Sequence, residues 1–464
     1  MEQASNLFFL THKNNSMTVL MTKRLIGFGL KSLFLSLLLL PNLSTLKAAI
    51  YIVNTDSDWS TATAFTATPT AADDIIVTAG ATLTIDVADA VCASMQIGIS
   101  GNGTAGTISF NAGSQLTVSG LISLGGTVNN NNTGTITMTA GGTLVCGSLT
   151  YNLGLNNTAN VINQGAGSSI TVNGMVLLNQ PGSNNETYTW NVGGGTATVS
   201  GLINFIGTSS MNRIAQIVIG AGTMNANGGI SFVGVTAANQ VINIGTGTLN
   251  IGGSGIATST AGTLTTTAGT VDYNESVVAQ IVGAYSYNNL ILSGALNKTI
   301  TGATVTGTLS LQGTATAMGT SPTYAAGATL EYAGSAAQTT SNVEFNSAGV
   351  PTNLTLNNAN GVTLHAARSI SGTLSLTAGN LITTAANLLT LGSAAVVVGG
   401  SKDSFIDGPI AKEGNNVFLF PTGNLGIYAP IGISPPSLIT DVFQAEYIRA
   451  TPPRQTRHRY WRWD

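Results

Sequence analysis

A glycine returns every 27 residues through the first half of this chain: Gly120, Gly147, Gly174, Gly201, Gly228 and Gly255, with Ala93 extending the series backwards. Apolar residues keep the same step. Two positions before the glycines stand Val91, Val118, Val145, Val172 and Val199, then Ala226 and Gly253. Two positions after stand Met95, Ile122, Leu149, Val176, Ile203, Ile230 and Ala257. Four after stand Ile97, Leu124, Tyr151, Leu178, Phe205, Phe232 and Ser259. A further column holds Ile136, Trp190, Ile217, Ile244 and Val271, failing only at Asn163. Within each unit apolar residues alternate, the strand period of two. Between the alternating runs lie Gly, Asn, Thr and Ser, which form turns. A unit this short cannot bury its own apolar face, so it must stack on copies of itself. The expected fold is all-β: a parallel β-solenoid (β-helix) with 27-residue coils, followed by the start of a β-sandwich-like segment. Roughly 14 coils at the inter-strand spacing would stand about 65–70 Å tall.

Stacking accounts for an unusual composition. Only 7% of the 464 residues are charged, against about 25% in ordinary globular proteins. Equivalent positions sit about 4.8 Å apart up the stack, so a column of like charges would repel along its length. Thr, Ser and Asn can hydrogen-bond up the same column instead. The series Cys92, Ser119, Cys146, Asn173, Ser200, Asn227, Ser254 reads as one such polar column. Its cysteines are then two coils apart, roughly 9–10 Å, beyond the reach of a disulfide. Two free thiols are expected. Glu186 and Arg213, 27 residues apart, should be stacked neighbours, a surface ion pair in a column offering only Asn132, Ala159 and Gln240 besides.

Between Ile50 and Ile448 there are five basic and 16 acidic residues. Such a body has no basic footprint for nucleic acid. Its 43% hydrophobic content argues against disorder, and its shortage of strong helix formers argues against a helical bundle. Residues 21–49 read as a signal peptide: Lys23, Arg24 and Lys31 precede an uncharged run from Ser32 to Leu46, short for a membrane span. Residues 1–20 read as an upstream extension, with Met17 or Met21 the better start. No membrane span is expected after the signal peptide, because Gly, Thr or Asn breaks every later apolar run.

The organisation expected after the leader is a solenoid of 27-residue coils over 50–261, a second solenoid section over 262–400, a closing β segment over 401–448 and a basic tail over 449–464. In the second section TVDY (Thr270–Tyr273), NNLIL (Asn288–Leu292) and GTLSL (Gly307–Leu311) recur as TLEY, NLTL and GTLSL, with offsets of 59, 64 and 65 residues. Each unit is long enough for two coils plus a loop. An Ala-Gln pair recurs in the same frame, at Ala279–Gln280 and Ala337–Gln338.

The stretch VDYNESVVAQIVGAYSYNNLILSGALNKTITGATVTGTLSL resembles repeat units of very large exported surface proteins of Bacteroidota. The block SFIDGPIAKEGNNVFLFPTGNLGIYAPIGIS and the piece FQAEYI resemble the segment that closes the solenoid in such proteins. The resemblance covers about residues 260–448 and implies a non-catalytic, adhesin-like surface protein handled by the type IX secretion machinery. Its implied partners are surface glycans or a host or neighbouring-cell surface. Family members continue into a sorting domain. Here TPPRQTRHRYWRWD follows instead, which reads as a frameshifted or truncated end rather than a nucleic-acid- or membrane-binding tail.

The rival reading is a secreted carbohydrate-active β-helix protein, a polysaccharide lyase or hydrolase or a glycan binder. That chemistry needs paired carboxylates, or a base beside a calcium cluster. Asp73 and Asp74 read as an edge cap; Asp86 and Asp89 supply too few oxygens for calcium; Asp403 and Asp407 flank Phe405 in the closing block. His365 is the solenoid's only histidine and has no carboxylate placed beside it in the sequence. No hydrolase, zincin or Walker motif occurs, and Gly101–Gly106 lacks the βαβ context of a nucleotide loop. Catalytic, cofactor-binding and metal residues are therefore none, cofactors none. Trp190 is expected in the core, and Tyr285 with Tyr287 as an exposed aromatic pair.

Overall fold

The computed structural model describes residues 48–99, 105–126, 132–152, 159–181, 186–207, 213–234, 239–257, 262–449 and 460–461. The leader through residue 47, Gly101–Thr104 and nearly all of the tail lie outside the described residues. The fold is the expected one, an all-β parallel solenoid of about 13 turns. Among the described residues no helix is long and apolar enough to cross a membrane.

Each coil has three faces. Ser168–Val172 lies on the third face, Val176–Asn179 on the first and Glu186–Val192 on the second; Thr196–Val199 then opens the next coil on the third. Every strand pairs in parallel with its counterpart one coil on. Residues therefore stack into ladders, and alternate residues point inward. One inner column of the first face runs Met95, Ile122, Leu149, Val176, Ile203, Ile230, as the period predicts, and ends on Ile256 rather than Ala257. Its members are at most 1% exposed, each worth about 1.5–3 kcal/mol of burial.

Two columns run in a register other than the expected one. The column through Trp190 has no gap: Ile136, Ile162, Trp190, Ile217 and Ile242 follow one another. Coil lengths vary by a residue or two, so Ile162 replaces Asn163 and Ile242 replaces Ile244. The cysteines are not in the polar column. Cys92 and Cys146 both pair with Val118 on the inner face, because the register slips between Cys146 and Ser148. They remain two coils apart, free and buried, as expected. The same drift pairs Gln240 with Ala215 and not with Arg213. Glu186 and Arg213 do stack as neighbours.

Polar ladders exist on the outward side. Asn250 Nδ2 donates to Asn225 Oδ1 at 2.7 Å, and Asn225 Nδ2 to Thr198 Oγ1 at 3.0 Å. Asn191 does the same to Asn163 at 2.7 Å.

The glycine column lies at the corner between the third and first faces. There the Gly174 N–H donates to the Gly147 carbonyl at 2.7 Å, and the Gly201 N–H to that of Gly174 at 3.0 Å. This stacking brings the backbones so close that a Cβ on Gly201 would sit 2.6 Å from the Gly174 carbonyl.

After residue 262 the coils shorten. TVDY, NNLIL, GTLSL, TLEY, NLTL and GTLSL all occupy successive rungs of the third face: Val271, Leu290, Leu309, Leu330, Leu354 and Leu374 form one column. The long repeat thus holds three coils rather than two. The residues are saved between the first and second faces, where the chain needs Leu124 to Thr133 in a long coil and only Ile300 to Thr304 in a short one. The stack ends in antiparallel pairs: Ile410–Glu413 with Val442–Ala445, and Phe418–Phe420 with Ile431–Ile433. Of the tail, Tyr460–Trp461 pairs antiparallel with Tyr447–Ile448.

Gly201→Ala should lower stability by about 1–3 kcal/mol through backbone overpacking. Gly349→Ala, where a Cβ meets nothing within 4 Å, should unfold with the parent in a thermal melt. The two thiols give a second expectation. Burial pushes Cys92 and Cys146 up to about 12. The unfolded chain releases these protons near pH 8.5 while the folded chain keeps them, so their contribution is complete below that pH and declines as pH rises towards 12. Native protein should resist a thiol reagent at pH 8 and react at both cysteines in denaturant.

Candidate functional site

One coil departs from the regular pattern and brings Glu344, His365 and Arg368 into one neighbourhood. On the second face, Thr323–Tyr324 below and Arg368–Ile370 above are both strands. Between them the chain turns through residues 341–346 instead. The sequence TSNVEFNSAG alternates only briefly, at Val343 and Phe345, between turn-forming Ser, Asn and Gly, and it brings Glu344 inside, 1% exposed.

Glu344 is satisfied from several sides. Its Oε1 accepts from the Tyr332 hydroxyl at 2.9 Å and from the Ser341 N–H, and its Oε2 accepts from the Ser341 hydroxyl. Its backbone carbonyl accepts from the Tyr324 hydroxyl at 2.7 Å. Arg368, 7% exposed, closes the turn from above. Its Nε donates to the Phe345 carbonyl, its Nη1 to the Ala367 carbonyl at 2.7 Å, and its Nη2 to Asn342 Oδ1 and to His365 Nε2. The guanidinium also lies 6.0 Å from the Phe345 ring centroid, a cation–π contact.

His365 is therefore not isolated. Its Nε2 faces both Arg368 Nη2, at 2.7 Å, and Asn342 Oδ1, at 3.0 Å, while Nδ1 faces the Thr340 hydroxyl. Burial first, then the Arg368 charge, hold its pKa below the ordinary value, with Glu344 opposing weakly. Beside this knot lies a cavity of about 270 Å³ lined by Tyr332, Gln338, Thr339, Ser341 and Glu344, with Gly313 to Ala317 opposite. The carboxylate reaches the cavity already engaged by three donors, and Tyr332 is held protonated by burial. The arrangement can fix a turn and shape a cleft. It offers no unengaged acid and base pair.

The recurring Ala-Gln pair has a structural task. Gln280 Nε2 donates to the Ile251 carbonyl at 2.8 Å while Oε1 accepts from Lys298 Nζ at 2.7 Å. Gln338 Nε2 likewise donates to the Leu311 carbonyl at 3.3 Å and its Oε1 accepts from Asn358 at 2.9 Å. Each ties a loop to the coil below. Lys298 is fully buried, its pKa lowered mainly by that burial. Nothing in the sequence pattern marks it as internal.

The other named residues are dispersed. Asp73 caps the first coil, accepting from the Ala49 N–H at 2.7 Å and from the Thr70 N–H and hydroxyl at 2.8 Å, which lowers its pKa, the Ala49 bond most of all. Asp74 accepts from Ser94 at 2.6 Å. Asp86 is taken by Ser60, while Asp89 lines a separate cavity of about 220 Å³ beside Trp59 and Phe65. Asp403 pairs with Lys402 at 2.6 Å and Asp407 accepts from Asn424 at 2.9 Å. No cluster of three metal-ligating side chains occurs among the described residues. Trp190 is in the core as expected, its Nε1 donating to Gln164 at 2.8 Å. The expected exposed pair is not exposed: Tyr287 is fully buried, its hydroxyl 3.0 Å from that of Tyr273, and Tyr285 packs against it edge to face.

His365 sets a pH dependence. Its folded pKa is depressed, so its contribution is complete above about pH 6.5 and falls as protons bind the unfolded chain below that pH. Melting temperature should drop between pH 7 and pH 5, and drop less in His365→Asn.

No known protein family, curated protein or solved structure matches the chain. Function is read from its own residues.

Proposed function

We propose that this chain is an exported, surface-displayed β-solenoid, a stiff adhesin-like stalk without catalytic activity, of the kind its repeat units resemble in Bacteroidota. The observation that supports this best is the state of the polar groups at the candidate site. Glu344 is taken by Tyr332 and Ser341, and Arg368 by His365 and the turn through residues 341–346. A stacked parallel ladder resists bending and proteolysis, since local opening must break bonds to the coils on both sides. Its outward Thr and Asn ladders are neutral and hydroxyl-rich, suited to surface glycans or a neighbouring cell's coat. Secretion machinery is the other partner of this reading, with the leader as its address.

Expression of the full chain in a Bacteroidota host, followed by antibody labelling of intact cells, tests display. Labelling of intact cells is expected; protein confined to the cytoplasm would sink the export reading. Incubation with a panel of polysaccharides should release no new reducing ends or unsaturated products. Turnover abolished by Glu344→Gln or His365→Asn would establish the carbohydrate-active alternative instead.

A further inference from the structure

The first-face ladder is interrupted beside the knot. Gln280–Val282, Asn297–Ile300 and Thr316–Gly319 form one parallel ladder. Gln338–Thr339, Val362–Thr363 and Leu381–Ile382 belong to the next, and the two ladders do not pair. The coils stay joined on the third face, where Thr308 to Gly313 pairs with Thr329 to Gly334. The interruption therefore takes in the first and second faces of one coil, since Thr323–Tyr324 pairs only with the coil below, and the cavity of about 270 Å³ lies on its first-face side.

The backbone there is directed into the gap. The Thr316 and Thr320 N–H groups donate downward, to Leu296 at 3.1 Å and Ile300 at 2.9 Å. Successive amides of a strand point to opposite sides, so those of Ala317 and Gly319 point up. The Gln338 and Thr340 N–H groups donate upward, to Gly361 at 3.1 Å and Thr363 at 3.0 Å. The Thr339 amide then points down. Strand edges thus face each other across the cavity, and small residues, Ala315, Ala317, Ala336 and Ala337, line it.

We propose that the gap between Thr316–Gly319 and Gln338–Thr339 is a slot for an extended polypeptide segment with small side chains, which completes the parallel ladder through the backbone of Ala317, Gly319 and Thr339. Strand addition to an open edge is an established mode of peptide recognition. A residue of extended chain fills roughly 160 Å³ from its rise, strand spacing and sheet thickness, so the slot takes about two ordinary residues or three small ones. A sugar is less well served. The one aromatic ring lining the slot, Tyr332, is fully buried and offers no stacking face. The proposal deepens the surface-display reading by naming a partner class, and its test in solution is independent of export.

Hydrogen–deuterium exchange of the full chain, with and without millimolar acetyl-Thr-Ala-Thr-Ala-Thr-amide, tests the slot. Exchange across residues 316–320 and 337–340 should slow several-fold with the peptide and stay unchanged elsewhere. Thr339→Pro removes a gap-facing N–H that holds no bond in the ladder, and should abolish the protection while Thr339→Val retains it. Should Thr339→Pro fail to fold, a probe N-methylated at alternate residues decides the matter, since it should protect nothing. Absent protection, or equal protection by the methylated probe, overturns the proposal. Protection by a neutral xylo-oligosaccharide but not by the peptide overturns it in favour of a glycan site.

Discussion

The hydrogen-bonded approach of one coil to the next, at about 4.8 Å, is the constraint from which most of this molecule follows. A side chain in such a stack has the same column above and below as its closest company. Charge is therefore admitted where a partner of other chemistry is fixed nearby, as for Lys298 between Gln280 and the Glu275 carbonyl. Neutral amides and hydroxyls fill the outward columns because each donates to the next. The corner glycines obey the same spacing: at Gly174 and Gly201 it is backbone against backbone that leaves no room for a Cβ.

The irregular coil is what happens when local bonding outcompetes the ladder. A strand through residues 341–346 would turn Val343 and Phe345 to one side and Glu344 to the other, taking the carboxylate away from the Tyr332 hydroxyl it now satisfies, and an unsatisfied buried polar group is costly. The turn lets Ser341 supply both its N–H and its hydroxyl, while Tyr332 and Arg368 close the shell. The equivalent tyrosine one repeat earlier, Tyr273, meets Tyr287 instead of a carboxylate, and there the first-face strand that follows, Gln280–Val282, keeps a single bridge to the coil below, Ile281 with Gly255.

The fold was legible because a column needs only periodicity. Val172, Ile203 and Trp190 could be assigned inward from their spacing, and are inward. Register was less legible. A single-residue slip at Gly147 moves Cys146 from the polar side to the apolar side without altering composition. Shorter connections turn an apparent pair of coils into three, since spacing between motifs records chain length and not the number of turns. The knot was illegible for a different reason. Glu344 lies one pass of the chain before His365 and Arg368, and isolated charged or polar residues in a neutral sequence carry no mutual signal until the coils are stacked. The recurring Ala-Gln pair was visible as a motif, yet its role needed the carbonyl one coil below.

A regular solenoid leaves few backbone groups with which to recognise anything, because each strand's donors and acceptors are taken by the coils on either side. Recognition on its flanks must use side-chain ladders, which repeat and so discriminate poorly along the axis. Selectivity requires a place where the repetition fails without the stack coming apart. Here the third face holds adjacent coils together while the first face opens between Gly319 and Gln338. The polar knot is what keeps that opening from closing, since a strand restored through residues 341–346 would have to expose or strip Glu344. Stability and specificity are thereby assigned to different faces of the same coil.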